Sequence, residues 1–488
     1  MDREIKKLND ILVNLFNTVL KLEEEAVQNA SYGDISVTEV HTLAAIGTGR
    51  PKTMTHVANI LGIKISTLTT AVNKLVKKGY VERMRDERDR RIVKIRLTAK
   101  GQSAIKEHDD FHESMIREAV SQIPEESVHQ FVSSLENINN FLIMRRSMAY
   151  MRDKEFRMDP VKMGSRVLQV PIVQAGMSIG IAGSRLAASV ACNGGLGLIG
   201  TAEIGYRRDD YAEDPLSANL IEIENEVKKA CDEVRQAGGR GLIGASIMWN
   251  DPNAGKYVEA AVRGGAQAIV TSTSIPKDLP GYCQDKKVLL LPTISSRKAA
   301  SIITKVWSQK YNRTPDGFIF QGPLAAGLLG FREADLEKAC HDRYKTIADI
   351  KSELANLENC PLIVGGGIYR REDAEKVYRY GADGILMGTR FVTTEECDAP
   401  YEYKKLYLNC NENDVTIVRS PMKTSVRVMR NDFADMLAYS GKDDYDIIEA
   451  VKRGVAGDYD GGLIFCSSNA GKISKIDTVK DVFSEFIT

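Results

Sequence analysis

Cysteine is absent from the first 191 residues; all eight (Cys192, Cys231, Cys283, Cys340, Cys360, Cys397, Cys410 and Cys466) come later. None forms a C-x-x-C pair, and no metal site is expected. With no signal-peptide pattern at Met1, these thiols are expected to stay reduced in a cytoplasmic protein. No apolar run is long enough to cross a bilayer, so no membrane partner is expected. Net charge is missing too: 66 basic residues balance 66 acidic ones. Histidine is nearly missing from the second part, where His341 stands alone after residue 150.

The charge that is present is unevenly placed. Between Arg50 and Lys100 lie fourteen Lys or Arg against four Asp or Glu, a local excess of ten. Such a stretch is either a solvated basic face or a contact for an anionic partner. At 488 residues, 43% hydrophobic and 27% charged, the chain is long enough for two or three globular domains.

Texture divides the chain. Residues 1–147 are helical in pattern and poor in glycine, and 148–165, with Asp159-Pro160, read as a linker. From 166 to 394 short apolar runs alternate with amphipathic stretches: VLQVPIVQAG, GLGLIGTAEIG, GLIGASIMW, AQAIVTSTS, VLLLPTIS, GFIFQGPLAAG, PLIVGGGIY and GILMGTRFV. Eight buried strands separated by helices predict an α/β TIM (β/α)8 barrel. Residues 395–488 are expected to be a mainly helical extension packed on it.

In the first part, Ile5, Leu8, Leu12, Leu15, Val19 and Leu22 form a heptad seam, and Val128, Phe131, Leu135, Ile138 and Leu142 a second stripe. Both suit either packing within the chain or a dimer interface. Ser36-Val37-Thr38-Glu39 is a capping box. A helix near Met54–Leu61 ends at Gly62, and another runs from Ile65 to Lys78, closed by Gly79. The latter turns Leu68, Val72 and Leu75 inward and leaves Ser66, Thr67, Thr69, Thr70, Asn73 and Lys74 outside. Short polar groups at a helix N-terminus can reach base edges and phosphates in a major groove. A hairpin follows, with the charged tip Asp86–Arg91, and Thr98 caps the next helix.

The run LGIKISTLTTAVNKLVKKGYVER, then DERDRR, then VKIRLTAKG resembles the MarR family of winged-helix regulators. The resemblance implies a homodimer, or a higher oligomer, on a pseudo-palindromic operator in double-stranded DNA, with half-sites about one turn apart. Residues 65–74 would enter the major groove, with Arg88, Arg90 or Arg91 at the wing tip.

In the second part, Val364-Gly365-Gly366-Gly367-Ile368 and Met387-Gly388-Thr389-Arg390-Phe391 end the seventh and eighth predicted strands. Barrels of this type bind phosphate with the loops at these two positions. Gly195-Leu196-Gly197-Leu198-Ile199-Gly200 fits G-x-G-x-x-G. It follows a helical stretch and is itself strand-like, the reverse of a dinucleotide fingerprint.

The order PIVQAGM, ACNGGLGLIG, QGPLAAGLLG, VGGGI, GADGILMGTRF resembles the nitronate monooxygenase family, which includes flavin-dependent enoyl-acyl-carrier-protein reductases. The resemblance implies a barrel holding FMN. Ala175, Gly176 and Met177 would line the flavin ring, with Gln321, Ala326 and Gly327 flanking it and Ser246 and Thr271 facing it. Gly366, Gly367, Gly388 and Thr389 would hold the phosphate. Ser246 stands where the reductases ordinarily have Asn. The larger departure is Leu328, at the place of the histidine in that family's Gly-Gly-His-x-Gly loop, its acid/base residue. Leucine moves no proton, and His341 reads as an exposed residue of a polar segment, so no catalytic residue is assigned.

These readings imply a transcription regulator whose barrel senses a small molecule or flavin redox state. MarR-like repressors and flavin enoyl reductases both occur in bacterial fatty-acid synthesis, which suggests an acyl ligand. One alternative is an active NAD(P)H-dependent flavin oxidoreductase that also binds DNA; another is a barrel that has lost FMN and serves as a scaffold. The wing assignment is tested by Arg90→Ala with Arg91→Ala. Operator affinity should fall, and the slope of log K against log salt should flatten by about 1 for each phosphate no longer neutralised; an unchanged slope removes the wing from the interface.

Overall fold

The computed structural model describes residues 2–30, 32, 34–49, 51–85, 93–121, 123–128, 130–132, 134–135, 138 and 156–487. The chain divides into two compact units, Met1–Leu135 and Glu136–Thr488.

The first unit opens with α1 (Asp2–Asn29) and α2 (Val37–Ile46). The predicted capping box starts α2: the Ser36 hydroxyl accepts from Glu39 N and the Glu39 carboxylate from Ser36 N. A short strand β1 (Lys52–Thr53) and α3 (Met54–Leu61) follow, then α4 (Ile65–Lys77), with Gly79 in the left-handed region behind it. Strands β2 (Val81–Arg85) and β3 (Val93–Leu97) pair antiparallel as the wing, with β1 added alongside β3. The unit continues with α5 (Ala99–Val120), capped by Thr98 Oγ1 accepting from Gly101 N. Leu68, Val72 and Leu75 of α4 are fully buried in a core with Val40, Leu43, Ile95 and Leu97. The heptad seam of α1 is not absorbed by this core: Leu8, Leu15 and Leu22 are 49%, 50% and 41% exposed. Phe131 and Leu135 of the second stripe are exposed as well, and Leu142 lies outside the described residues.

In the second unit, β4 (Val161–Met163) and β5 (Arg166–Leu168) form a hairpin. The stretch read as linker therefore stops short of residue 161. Met163 and Leu168 are fully buried among residues from inside the barrel, because their hairpin plugs its amino end; Gly164 N donates to Asn359 O there.

Eight parallel strands then close a barrel: β6 (Ile172–Gln174), β7 (Leu196–Gly200), β8 (Leu242–Met248), β9 (Ala268–Ser272), β10 (Leu289–Ile294), β11 (Phe318–Gln321), β13 (Leu362–Gly365) and β14 (Gly384–Met387). All eight coincide with the predicted apolar runs. The G-x-G-x-x-G run is the strand β7, preceded by α6 (Ser184–Cys192), as its pattern implied. The helices α7 (Pro215–Ala237), α8 (Ala254–Arg263), α9 (Leu279–Tyr282), α10 (Arg297–Tyr311), α11 (Glu333–His341), α12 (Arg343–Glu353) and α13 (Arg371–Arg379) connect the strands.

Beyond β14 come α14 (Thr389–Val392) and α15 (Tyr401–Asn409). The expected mainly helical tail contains an antiparallel hairpin, β15 (Val415–Arg419) and β16 (Ser425–Met429). β16 pairs with β12 (Gly327–Leu328), a short strand in the loop after β11, so the hairpin is held by the barrel's own loop. Then come α16 (Asp432–Ser440), α17 (Ile447–Ala456) and α18 (Val479–Ile487). The last helix is fixed through charge. Arg390, 6% exposed, lies 2.6 Å from Asp477 Oδ2 and 3.1 Å from Glu485 Oε2. Removing one partner of a buried pair costs about 3–5 kcal/mol where the other charge is left alone; Glu485 stays beside Arg390, so about 2–3 kcal/mol is expected here. Asp477→Ala should lower unfolding free energy by about that amount in urea titration, and a loss below about 1 kcal/mol would show that the pair does not hold the tail.

Candidate functional site

The barrel interior changes character along its axis. Strand residues alternate between the interior and the helix layer. Leu198, Val270, Leu291 and Ile319 point inward and are buried. One level further toward the carboxyl ends, the inward positions are Ser246, Ser272, Thr293 and Gln321, all half-exposed. Ala175, Gly176 and Met177, just past β6, and Gly388, just past β14, are half-exposed too. Small side chains here leave a recess where the lower levels are packed solid.

The predicted ring-lining residues converge on this recess. Ala175 N donates to Met387 O at 2.9 Å, which brings the first and last strands together. A Cβ on Gly176 would lie 2.1 Å from Ser246 Cβ, so only glycine lets the two meet. A Cβ on Gly388 would lie 3.4 Å from Ala175 Cβ and 3.7 Å from Met177 Sδ. Gln321 donates from Nε2 to Leu328 O at 2.8 Å. Thr271 differs. It shares the alternation of Ile269, which packs against the helices, so Ser272 occupies the inward position there. The Thr271 hydroxyl is buried on the helix side without a hydrogen-bond partner.

The two glycine-rich strand ends are braced by the carboxyl-terminal segment, which sequence reasoning missed. Gly366 and Gly367 have φ of 104° and 74°, and a Cβ on Gly366 would lie 3.0 Å from Ala325 N and Gly322 O. Asn469 Nδ2 donates to Gly367 O at 2.6 Å, and Ser467 N to Thr389 Oγ1 at 3.0 Å. Arg427 of β16 is buried and donates from Nη1 to Pro323 O and Ala325 O, each at 2.7 Å. Burial without a carboxylate partner holds its guanidinium below the ordinary arginine range. This clamp fixes the loop bearing Ala326, Gly327 and Leu328. The only sequence signal for it was the polar run Ser467-Ser468-Asn469 after the apolar Leu463–Cys466. Behind Gly366, on the helix side, a cleft of about 60 Å³ lies between Phe320, Val364 and Lys376. His341 ends α11 and is exposed, as its segment suggested.

In the first unit, Ser66, Thr67, Thr70, Asn73 and Lys74 are exposed on α4, and Thr69 is half-buried. Thr69 and Thr70 donate their hydroxyl protons to Ile65 O (2.7 Å) and Ser66 O (3.2 Å). Asn73 Oδ1 accepts from Arg83 Nη2, which ties the helix to the wing. No side chain caps the amino end of α4, where backbone N–H groups and the helix dipole favour an anion. Arg88, Arg90 and Arg91 lie outside the described residues.

Comparison with known proteins agrees with this division. Residues 35–93 match the family described as MarR, and residues 160–488 the family described as nitronate monooxygenase. The chain is 24% identical over 274 residues to the "(3aS,4S,5R,7aS)-5-hydroxy-7a-methyl-1-oxo-octahydro-1H-indene-4-carboxyl-CoA dehydrogenase" of Rhodococcus jostii (strain RHA1), covering 56% of this chain and 66% of that one. It therefore spans just under two thirds of that relative's length. It is 26% identical over 293 residues to a probable nitronate monooxygenase of Staphylococcus aureus (strain Newman), covering 56% of this chain and 79% of the relative. The structure of FabK from Thermotoga maritima superposes with a TM-score of 0.50 at 21% identity, over 65% of this chain and 91% of that one, a likeness of fold. The protein thus belongs to the nitronate monooxygenase family and carries a MarR-family segment ahead of its barrel.

Proposed function

We propose that this chain is a DNA-binding regulator whose barrel holds FMN and reports a bound small molecule, or the flavin's redox state, to the winged helix. The observation that carries the reading is the joining of a MarR-family segment to a nitronate monooxygenase barrel with Leu328 where a proton carrier would stand.

The half-exposed small residues at this end of the barrel support a flat, phosphate-bearing cofactor lying there. Ala175, Gly176, Met177, Ser246 and Gln321 would line the ring, with Ala326 and Gly327 beside it. Gly366, Gly367, Gly388 and Thr389 would surround the phosphate, held in place by Asn469 and Ser467. A bound flavin supplies hydride chemistry of its own. The barrel unit's one histidine, His341, is exposed at the end of α11, and Leu328 moves no proton, so on this reading the barrel's residues bind and orient rather than relay protons. An acyl-type ligand or NAD(P)H would enter from the same open end. The exposed apolar seam on α1 supports a homodimer reading a pseudo-palindromic operator.

A second reading, an active oxidoreductase that also binds DNA, is favoured by the names of the relatives, a dehydrogenase and a nitronate monooxygenase. It requires proton supply from water or substrate in place of Leu328.

Two measurements separate these readings. The purified full-length protein should show flavin absorption, and a duplex selected from random DNA should bind at least about 5-fold differently with oxidised flavin, reduced flavin or an acyl-CoA present, the usual floor of allosteric coupling. Equal affinities in every state sink the sensor. Steady NAD(P)H consumption by the wild-type chain establishes the second reading instead. Leu328→His should then raise turnover by about 10²-fold or more if proton transfer is the missing step.

A further inference from the structure

We propose that a basic cleft on the tail hairpin, between Arg332, Arg419, Lys423 and Ser425, binds the diphosphate of a nucleotide-type ligand whose other end enters the recess. The link to the recess rests on the reading above, that a ligand enters the barrel from its open end. The cleft itself depends neither on that reading nor on flavin.

The cleft lies between the turn of the β15–β16 hairpin and the start of α11 and has a volume of about 430 Å³, the scale of a site for a small organic molecule. Arg332, Arg419 and Lys423 line it and are exposed, with one carboxylate, Glu333, among them. Arg332 Nε donates to Asp335 Oδ2 at 2.8 Å, and Arg419 Nε lies 3.2 Å from Asp443 Oδ2. Their side chains are 78% and 46% exposed, and ion pairs in that setting are weak. A guanidinium has five N–H donors, so a head oriented by one carboxylate can still fork onto a phosphate. Lys423 brings its charge from the turn. Its φ of 61° lies in the left-handed region that favours glycine, so a lysine there is not the residue the turn itself would prefer.

A buried hydroxyl points to the same ligand. Ser425 is 1% exposed, and its Oγ has no hydrogen-bond partner. It stands directly across the hairpin from Arg419, and cross-strand partners carry their side chains on the same face. The hydroxyl is therefore aimed to the side on which Arg419 lines the cleft. Burying a hydroxyl without a partner is costly, and a bound oxygen anion supplies the partner. No side chain caps α11, a helix of nine residues whose first turn lines the same space, so its backbone N–H groups face the cleft as well. Two arginine forks, an ammonium, a hydroxyl and helix N–H groups, spread around one cleft, suit an anion with several separated oxygens. A diphosphate meets that requirement, and a single carboxylate does not.

Hydrogen bonds join the cleft to the recess. Leu329 N donates to Ser425 O at 2.9 Å and Ser425 N to Phe331 O at 3.0 Å, directly after Leu328. Asn250 Nδ2 donates to Met422 Sδ at 3.4 Å, so the turn that bears Lys423 reaches the loop after β8, the strand of Ser246. The cleft thus borders the open end of the barrel. Two kinds of ligand share a diphosphate with a long second half that could enter there: a coenzyme A thioester and a nicotinamide dinucleotide.

The test is calorimetric titration of the full-length protein with inorganic pyrophosphate, coenzyme A and NADP+. Pyrophosphate and one of the two nucleotides should each fill one site per chain, more weakly as salt is raised. Arg419→Ala with Lys423→Ala, at exposed positions, should weaken both at least about 10-fold with the circular dichroism of the wild type. Ser425→Ala should weaken them by about 10-fold, the worth of one hydrogen bond to a charged group, without lowering the melting temperature, since the hydroxyl makes no bond within the protein. Pantetheine and nicotinamide riboside, which lack the diphosphate, should bind at least about 10-fold more weakly than their parent nucleotides, and the nucleotide that the double variant loses names the source. No binding of pyrophosphate, or equal binding by the wild type and the double variant, overturns the cleft. Pyrophosphate bound without either nucleotide overturns the link to the recess. A chain that binds a nucleotide through these residues yet shows no flavin absorption counts against the flavin reading and leaves the cleft standing.

Discussion

The barrel's carboxyl end is governed by one steric constraint: the inward positions at that level are too small to fill it. Below them Leu198, Val270, Leu291 and Ile319 close the interior, and the β4–β5 hairpin seals the amino end with Met163 and Leu168. Above them stand serine, threonine, glutamine, alanine and glycine. Interiors are packed to crystal-like density, and a recess lined by such residues is tolerated where solvent or a ligand occupies it. A molecule bound there also stabilises the folded chain by linkage, in proportion to the logarithm of its concentration over its dissociation constant. The close approach of Gly176 to Ser246 shows how tightly the walls themselves are drawn in.

Keeping the loops in place around such a recess falls to residues far away in sequence. Arg427 crosses from the tail hairpin to the Pro323 and Ala325 carbonyls, and Asn469 reaches Gly367. The buried Arg390–Asp477 pair holds the segment leading to α18. Charge-assisted bonds to carbonyls are directional and strong in a low-dielectric setting, so they position a glycine loop that has no side chains of its own to pack. The tail would therefore act as the outer half of the proposed site.

What the sequence revealed follows from periodicity. Parallel strands buried on both faces read as unbroken apolar runs, so all eight were visible, and caps at Ser36, Gly79 and Thr98 marked the winged helix. The hairpin Val415–Met429 was not visible, because Arg419 and Arg427 interrupt its apolar pattern and helices flank it; the arginine that hid the strand is the one that clamps the loop. Thr271 was misplaced by one residue of alternation, which in a strand exchanges the two faces. The wing arginines were legible as sequence and lie outside the described residues.

Leu328 decides which reading of the barrel is physically economical. A leucine in place of the histidine removes the proton carrier and keeps an apolar side chain partly packed on the core, while Gln321 still anchors the loop through the Leu328 carbonyl. On the proposed reading binding would be retained while proton transfer, worth about 10²–10⁴-fold in rate, would be forfeited. For an enzyme that is a defect. For a sensor it is an advantage, since a ligand that is turned over leaves as product and erases its own signal, whereas one that only binds holds the favoured conformation for as long as its concentration lasts.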